Sequence, residues 1–122
     1  MQFHKNNKLT SRLEYKRIFN NAIRSQDDFF IVLYNKNDNS FSRLGLAISK
    51  KYCRLATKRN KIKRIIRESF RQNQDKLIGI DLIVLNKKKS SIVSNKKLFN
   101  SLKNHWKRCA ILKNKDRRIE NG

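Results

Sequence analysis

Residues 57–71 read TKRNKIKRIIRESFR, and the spacing of apolar and basic side chains in this stretch predicts a helix with two unlike faces. At about 3.6 residues per turn, one face collects Ile62, Ile65, Ile66, Ser69 and Phe70. The opposite face collects Asn60, Arg64, Arg67 and Arg71. Arg59 and Lys63 flank the apolar seam, and Thr57 is placed to cap the helix. We expect the apolar face to dock on a sheet, which holds the cationic face rigidly outward.

The whole chain is strongly basic. It has 122 residues, with 31 Lys and Arg against 9 Asp and Glu, and its formal net charge is +22. Such self-repulsion favours a polyanionic partner, which can be RNA, DNA or an anionic membrane. No stretch approaches the roughly 20 apolar residues of a membrane helix, and residues 1–10 contain no apolar run for a signal peptide. We therefore expect a cytoplasmic protein that binds nucleic acid and no membrane.

Residues that could bind a metal or act as acids and bases are few. Cys53 and Cys109 stand far apart without a CxxC partner, which predicts free thiols. His4 lies in a polar N-terminal arm, and His105 lies one helical turn before Cys109. Two candidate ligands do not make a zinc site, which needs about four. For both histidines we expect a structural or solvent-facing role, and for the chain no metal site.

The carboxylates do not suggest catalysis either. The one adjacent pair is Asp27-Asp28, and neighbours on an extended segment point to opposite sides, which favours a solvated turn over a metal site. The sequence has no recognisable Ser/His/Asp or Cys/His set and no glycine-rich phosphate loop. We therefore expect no catalytic residue in this chain. If the protein takes part in catalysis, the chemical groups belong to its partner.

Periodicity predicts six elements in the order helix, strand, strand, helix, strand, helix. Their approximate bounds are 12–23, 29–34, 44–49, 57–71, 80–85 and 95–112. Ser11 and Glu14 fit a capping box for the first helix, and the turn-prone residues 37–40 predict that the first two strands pair antiparallel. The expected architecture is one RNA-binding domain over residues 1–122. Its fold is an α/β sandwich with a single sheet and packed helices, and residues 1–8 and 113–122 are expected to be flexible.

Aromatic residues favour RNA over DNA. Tyr15 and Phe19 are neighbours one turn apart on the first helix, and Phe29, Phe30 and Tyr34 lie on the following strand. Aromatics at the margin between a helix and a sheet can stack on unpaired bases. For Phe29 and Phe30 a place in the core is the better interpretation. For Tyr15 and Phe19 the sequence leaves core packing and base stacking equally open.

Three segments resemble the protein subunit of bacterial ribonuclease P. They are residues 43–51 (RLGLAISKK), 58–71 (KRNKIKRIIRESFR) and 79–84 (GIDLIV). The resemblance implies a two-layer α/β sandwich, similar to a ribosomal-protein domain, whose βαβ crossover is left-handed against the usual rule. It also implies two partners, a catalytic RNA and precursor tRNA, and no DNA. That RNA would use Mg²⁺, bound mainly by itself, to hydrolyse the phosphodiester at the 5′ end of precursor tRNA.

The resemblance also implies two sets of binding residues. The RNA-binding set on the basic helix comprises Arg59, Asn60, Lys61, Lys63, Arg64, Arg67 and Arg71. The set for the cleft that holds the single-stranded 5′ leader comprises Tyr15, Phe19, Tyr34, Ser49, Lys50, Lys51 and Lys87. Two positions depart from the family pattern. Lys61 stands where Arg is usual, which replaces a bidentate fork by a point charge, and Tyr15 replaces a common Phe and adds a hydroxyl.

Two other functions remain open from the residues. A structural ribosomal RNA-binding protein would be equally small and basic. A helix-turn-helix DNA regulator would also carry a basic helix, but it needs a second helix joined by a tight turn, whereas strands bracket residues 57–71. The identity of the bound RNA separates the first alternative, and competition between duplex DNA and folded RNA separates the second.

Overall fold

The computed structural model describes residues 8, 9, 11–37 and 40–121, with side chains through Ile111. Its helices are α1 (Arg12–Asn21), α2 (Ala56–Gln72) and α3 (Asn95–Asn121). Its strands are β1 (Ile23–Gln26), β2 (Phe30–Lys36), β3 (Arg43–Ala47) and β4 (Ile80–Asn86). Short 3-10 turns at Gln74–Leu77 and Lys88–Ser91 precede and follow β4. The predicted order of elements is confirmed, with the short strand β1 added ahead of β2.

The four strands form one sheet in the order β1-β2-β4-β3. Strand β2 pairs with β4 antiparallel, whereas β3 pairs with β4 in parallel. The expectation that segments 29–34 and 44–49 pair with each other is therefore wrong, because β4 lies between them. Residues 80–84 of β4 are buried on both faces, and such a strand belongs at the centre of a sheet. Residues 38 and 39 of the expected turn lie outside the described residues.

Alternate side chains of the sheet face two separate cores. Phe30, Val32 and Leu82 join a large core with α2 and α3. Ile83 joins a smaller core on the opposite face, with Ile18 of α1. The predicted α/β sandwich, a single sheet with packed helices, is confirmed. Helix α2 connects the parallel strands β3 and β4, and the left hand implied for this crossover stays a prediction.

Helix α2 buries the face that its periodicity predicts. The buried residues are Ile62, Ile65, Ile66, Ser69 and Phe70. The indole Nε1 of Trp106 on α3 donates to Ser69 Oγ at 2.8 Å, which satisfies the one polar group of this face. The same indole meets Phe70 edge to face, with ring centroids 6.2 Å apart. The opposite face of α2 therefore points away from α3 and the sheet.

Two predicted helix caps are wrong. Helix α2 begins one residue before Thr57, and Leu55 at its N-cap provides no side-chain hydrogen bond. Ser11 does occupy the N-cap of α1, but it also makes no side-chain cap. The capping box fails because Glu14 forms an ion pair with Arg43 of β3 instead. Tertiary contacts have displaced the local ones.

The ends of the first and last helices also differ from the prediction. Helix α1 ends at Asn21 because β1 starts two residues later, and the helical backbone of α3 continues past Leu112 to Asn121. The flexibility expected of residues 1–8 and 113–122 stays a prediction, and residues 1–7 and 122 lie outside the described part. In the described part of the chain, no helix is long and apolar enough to cross a membrane.

Strand β3 forms an edge of the sheet, and two other segments cover its outer backbone groups. Leu9 N–H donates to the Leu44 carbonyl at 3.0 Å. Leu46 N–H donates to the Tyr15 hydroxyl at 3.1 Å. This approach requires Gly45, because a Cβ added there would lie 2.5 Å from the Tyr15 oxygen. Helix α1 thereby closes an edge that could otherwise pair with another chain.

A buried polar cluster fastens α3 to the first strands. Arg108 Nη1 donates to Ser25 Oγ at 2.9 Å, so the Ser25 hydroxyl is free to donate to His105 Nδ1 at 2.7 Å. His105 Nε2 lies 3.3 Å from Asp27 Oδ2, which also accepts from the Ser101 hydroxyl. His105 is therefore structural, as expected. Asp27 does shape a turn, but that turn is packed against α3 rather than solvated. His4 lies outside the described residues.

Gly45→Ala should destabilise the fold by about 1–3 kcal/mol, because the new methyl group would overlap the Tyr15 ring. Urea unfolding measures this loss. A double-mutant cycle with Tyr15→Ala should show strong coupling, since removing the ring also removes the overlap. Additive losses in the cycle would contradict the contact.

Burial lowers the pKa of His105, and the nearby Asp27 carboxylate only partly opposes this. The unfolded chain therefore takes up a proton before the folded chain does, so stability should fall as the pH drops below about 6.5. In His105→Gln this fall should be absent. The measurement is the unfolding free energy at a series of pH values.

Protonation of Asp27 also affects stability, and it sets the lowest pH at which the effect of His105 can be measured separately. Burial raises the pKa of the Asp27 carboxyl. Hydrogen bonds from Ser101 and from the Phe30 and Phe29 amides outweigh this effect, so the pKa of Asp27 lies below its usual value. Its stabilising effect is thus lost only in stronger acid, below about pH 4. Equal pH dependence of the wild type and the variant above pH ~5 would contradict the role of His105.

Candidate nucleic-acid interface

Basic side chains line the outward side of α2. Asn60, Arg64 and Arg67 are exposed along one stripe, and the half-buried Lys63 lies beside them. We call these four residues the cationic face. Among the residues that the structure describes, no acid forms an ion pair with Lys63, Arg64 or Arg67. The docked apolar side fixes the backbone that carries these charges. Phosphate binding therefore costs little conformational entropy of the helix.

Three other predicted positions on α2 have different surroundings. Arg59 Nη1 donates to two backbone carbonyls of the preceding loop at 3.0 and 2.7 Å, so its guanidinium braces that loop. Lys61 is exposed and lines a small groove between α2 and the segment after β4. Arg71 forms an ion pair with Glu68 one turn earlier. The structure therefore brings only part of the predicted set together on the cationic face.

An edge groove of about 220 Å³ connects the cationic face to α1. Lys63 and Arg67 line it from α2, and Tyr15 lines it from α1. Lys8, which forms a β-bridge at the outer side of β3, adds a third cation. Burial raises the pKa of Tyr15 by more than the hydrogen bond from Leu46 lowers it, so the hydroxyl stays neutral. The sequence alone did not place Lys8 here, although the apolar Leu9 that follows it was a signal that this position lies close to the core.

The aromatic side chains of α1 and β2 divide between core and surface. Tyr15 packs half-buried against the smaller core, whereas Phe19, one turn later, is 46% exposed. Phe30 is fully buried and Phe29 packs partly against the large core, as expected. The choice between core packing and surface exposure therefore differs for Tyr15 and Phe19. Phe19 presents a ring to solvent, and Tyr15 belongs partly to the core.

The structure does not bring Tyr34 together with Tyr15 and Phe19, the other aromatic residues that the resemblance assigns to the leader cleft, and its role there stays a prediction. Its neighbours along the large core are Phe30 and Val32, because alternate residues of a strand share a face. Its side chain is 6% exposed and faces α3. Burial raises its pKa, and so does Cys109 of α3. Tyr15 and Phe19 lie on the other side of the sheet.

The remaining cleft residues follow the ends of β3 and β4, which meet at one end of the sheet because these strands are parallel. Ser49 N–H donates to Asn86 Oδ1 at 2.7 Å, and Ser49 Oγ accepts from the Lys51 N–H at 3.1 Å. Lys50 and Lys51 are exposed. Lys87 Nζ donates to the Asp27 carbonyl at 2.8 Å, so it holds the turn before β2. Two lysines at this end therefore face solvent, and the third is engaged.

The described residues contain no group of three or more His, Cys, Asp or Glu side chains that could hold a metal ion. Asp81 is buried, and its carboxylate accepts two hydrogen bonds from Arg43 at 2.8 and 2.6 Å. Cys53 and Cys109 are buried free thiols, as predicted, and burial raises the pKa of Cys109 to about 12. These residues do not fit a protein-made Mg²⁺ site.

Strands bracket the helix that bears the cationic face. Strand β3 precedes α2, and β4 follows it after a single 3-10 turn. A helix-turn-helix unit instead joins its recognition helix to another helix by a tight turn. The topology therefore disfavours the alternative of a DNA regulator of that class.

Comparison with known proteins gives one consistent family. The family model for ribonuclease P matches residues 3–110. The ribonuclease P protein component of Methylococcus capsulatus is 38% identical over 112 residues, which cover 88% of this chain and 88% of that protein. The corresponding protein of Photobacterium profundum is also 38% identical, with 92% and 95% coverage. These relatives match nearly the whole chain, including α2 and the whole sheet.

Solved structures agree with the sequence matches. The ribonuclease P protein from Thermotoga maritima superimposes with a TM-score of 0.75 and 36% identity, covering 83% of this chain and 96% of that one. A Staphylococcus aureus ribonuclease P protein mutant with defective mRNA degradation activity gives a TM-score of 0.78 and 29% identity, covering 82% and 85%. The fold and the sequence thus point the same way, against the ribosomal-protein alternative. The chain belongs to the ribonuclease P protein family.

Proposed function

We propose that this chain is the protein subunit of a ribonuclease P holoenzyme and binds two RNAs at once. The cationic face of α2 holds the catalytic RNA, and the surface beside α1 holds the 5′ leader of precursor tRNA. The supporting observation is the edge groove, in which Tyr15 of α1 meets Lys63 and Arg67 of α2. It makes the two RNA-binding surfaces continuous. The product of the holoenzyme is the mature 5′ end of tRNA.

The leader surface combines a ring with cations. Phe19 offers an exposed aromatic face, and Lys50 and Lys51 offer charge at the end of the sheet. A single-stranded leader has unpaired bases to stack and phosphates to neutralise. Mature tRNA lacks the leader, so these contacts favour the precursor over the product.

The chain supports an endonucleolytic hydrolysis that the RNA performs. Mg²⁺, held mainly by the RNA, supplies the metal-ion chemistry of phosphodiester hydrolysis when bound. We assign it to the RNA because Asp27 and Asp81, two acids of the sheet region, already accept hydrogen bonds within the protein. The protein's cations replace some of the counterions needed to bring two RNAs together, which lowers the Mg²⁺ requirement.

Phe19→Ala should weaken binding of precursor tRNA to the holoenzyme about tenfold, because one stacked base loses its partner ring. Binding of mature tRNA should not change. Filter binding of both RNAs measures the ratio. Leu13→Ala on the same helix is the matched control, since Leu13 is exposed but lies on the side of α1 away from Phe19. An unchanged ratio in Phe19→Ala would remove the leader assignment.

Arg64→Ala should weaken binding to the catalytic RNA and lower the slope of log affinity against log salt by about 1, because one phosphate contact is lost. Arg64→Ala combined with Arg67→Ala should lower it by about 2. Lys76→Ala removes an exposed cation between α2 and β4, and it should leave the slope unchanged. The proposal fails if the double variant and the control have the same slope.

A further inference from the structure

Helix α3 carries a row of polar and basic side chains that no part of the proposed function uses. At about 3.6 residues per turn, Lys96, Asn100, Lys103 and Lys107 fall on one side of the helix. All four are exposed, and we call them the α3 stripe. The opposite side of α3, which includes Trp106, is buried in the large core. The stripe therefore points away from the sheet.

The α3 stripe repeats the spacing of the outward side of α2. That side of α2 presents residues 60, 64, 67 and 71, which are one Asn and three Arg. The stripe presents residues 96, 100, 103 and 107 at the same intervals, and these are one Asn and three Lys. The buried positions also correspond, since Ile66 and Phe70 of α2 match Leu102 and Trp106 of α3 in this spacing. Both helices therefore present an amide and three basic residues opposite the side that they bury.

The basic side chains of the stripe are not neutralised by acids of the described structure. Residues 95–111 contain Lys and Arg but no Asp or Glu. Among the side chains that the structure describes, no acid forms an ion pair with Lys96, Lys103 or Lys107. The position on α2 that corresponds to Lys107 is Arg71, which Glu68 binds. At this position α3 therefore leaves a charge for an external anion where α2 does not.

The placement of these charges is unfavourable for the helix by itself. Lys103 and Lys107 lie one turn apart, where like charges repel each other. Lys96 lies in the first turn of α3, which has no acidic residue, and the positive end of the helix dipole disfavours a cation there. Helix stability therefore does not explain these lysines. A bound polyanion neutralises all three.

The stripe suits the backbone of an RNA duplex better than unpaired bases. It includes no aromatic ring for stacking, because Phe99 and Trp106 lie on other sides of α3 and pack against or within the large core. Double-stranded RNA is recognised mainly through its phosphates and ribose 2′-hydroxyls, which are groups that Lys and Asn bind. From Lys96 to Lys107 the stripe is about 16 Å long at the rise of an α-helix, which is enough to contact several phosphates.

The two helices occupy different halves of one layer on the sheet. Trp106 of α3 donates to Ser69 of α2, so the helices lie side by side. Arg67 of α2 lines the edge groove beside β3. Arg108 of α3 instead binds Ser25 of β1, at the other edge of the sheet. A folded RNA that contacts the cationic face of α2 can therefore reach the α3 stripe with another segment.

We infer that the α3 stripe is a second binding surface for the catalytic RNA, and that it contacts the sugar-phosphate backbone of a double-helical segment. Lys96, Lys103 and Lys107 contact phosphates, and Asn100 contacts a ribose hydroxyl. The inference rests on the proposed function. The catalytic RNA is preferred to precursor tRNA as the occupant, because the leader surface beside α1 lies on the opposite face of the sheet from α3.

The first test measures binding of the isolated catalytic RNA to the full chain at a series of salt concentrations. Lys103→Ala with Lys107→Ala should lower the slope of log affinity against log salt by about 2, because two phosphate contacts are lost. Lys103→Arg with Lys107→Arg keeps both charges and should behave as the wild type. The matched control is Lys76→Ala with Lys97→Ala. It removes the same charge from exposed positions outside the stripe and should leave the slope unchanged.

The second test is hydroxyl-radical footprinting of the catalytic RNA in the same complexes. The protein with Lys103→Ala and Lys107→Ala should lose protection of one double-helical segment. It should keep the protection that is lost with Arg64→Ala and Arg67→Ala, because those residues belong to the other surface.

Thermal unfolding of the free protein tests whether the lysines have a structural role instead. The midpoint of Lys103→Ala with Lys107→Ala should equal or exceed that of the wild type, because the substitution removes a pair of like charges. A lower midpoint would show that these lysines stabilise the fold, and it would contradict the inference.

The outcomes separate the inference from the proposed function. If the α3 variant keeps the wild-type slope and footprint while the Arg64 and Arg67 variant loses both, the inference is overturned and the proposed function stands. The inference is also overturned if the control lowers the slope equally, or if the α3 variant weakens binding of tRNA but not of the catalytic RNA. If the wild-type chain binds the catalytic RNA no more tightly than an unrelated folded RNA of equal length, the proposed function itself fails.

Discussion

The parallel pairing of β3 with β4 determines how the rest of the molecule is arranged. A chain that leaves β3 must return to the opposite end of the sheet before it can enter β4, and α2 makes that return. The helix must then bury one side over its length, which leaves the other side fixed and outward. The same pairing puts the segments after β3 and β4 at one end of the sheet. The position of the cationic face therefore follows from a single strand pair. So does that of the exposed lysines after β3 (Lys50 and Lys51) and after β4 (Lys88 and Lys89).

The distribution of acids explains why a chain of net charge +22 keeps its cations available. Glu14 and Asp81 bind Arg43, and Asp27 binds Ser101 beside His105. Glu68 holds Arg71 at the end of α2. Glu14, Asp81 and Asp27 are thus committed to contacts that join elements of the fold, and Glu68 to a contact within α2. On the described part of α2, the cations between Asn60 and Arg67 are left for an external anion.

Periodicity predicted the features that depend on a single helix or strand. It failed for features that depend on how several elements pack together. The buried face of α2 could be predicted because 3.6-residue spacing sorts Ile62, Ile65 and Ile66 to one side without reference to any partner. The pairing of β2 with β3 could not, since the burial of β4 on both faces outweighed the short connection between them. Arg59 looked like the neighbouring arginines in sequence, and only the position of the preceding loop shows that its guanidinium is engaged. The burial of Tyr34 could not be predicted, because the resemblance gave the identity of this residue but not the face of β2 on which it lies.

The hydrogen bond from Leu46 to Tyr15 has a consequence for how these positions can vary. The ring that lines the edge groove sits directly over Gly45, so the residues allowed at position 45 depend on the size of the residue at position 15. The two positions form one epistatic unit, although they lie far apart in the sequence. A change at either position that looks conservative in isolation alters both the closure of the sheet edge and the wall of the edge groove. Sequence drift in this protein is thus constrained by pairs of residues as well as by single sites.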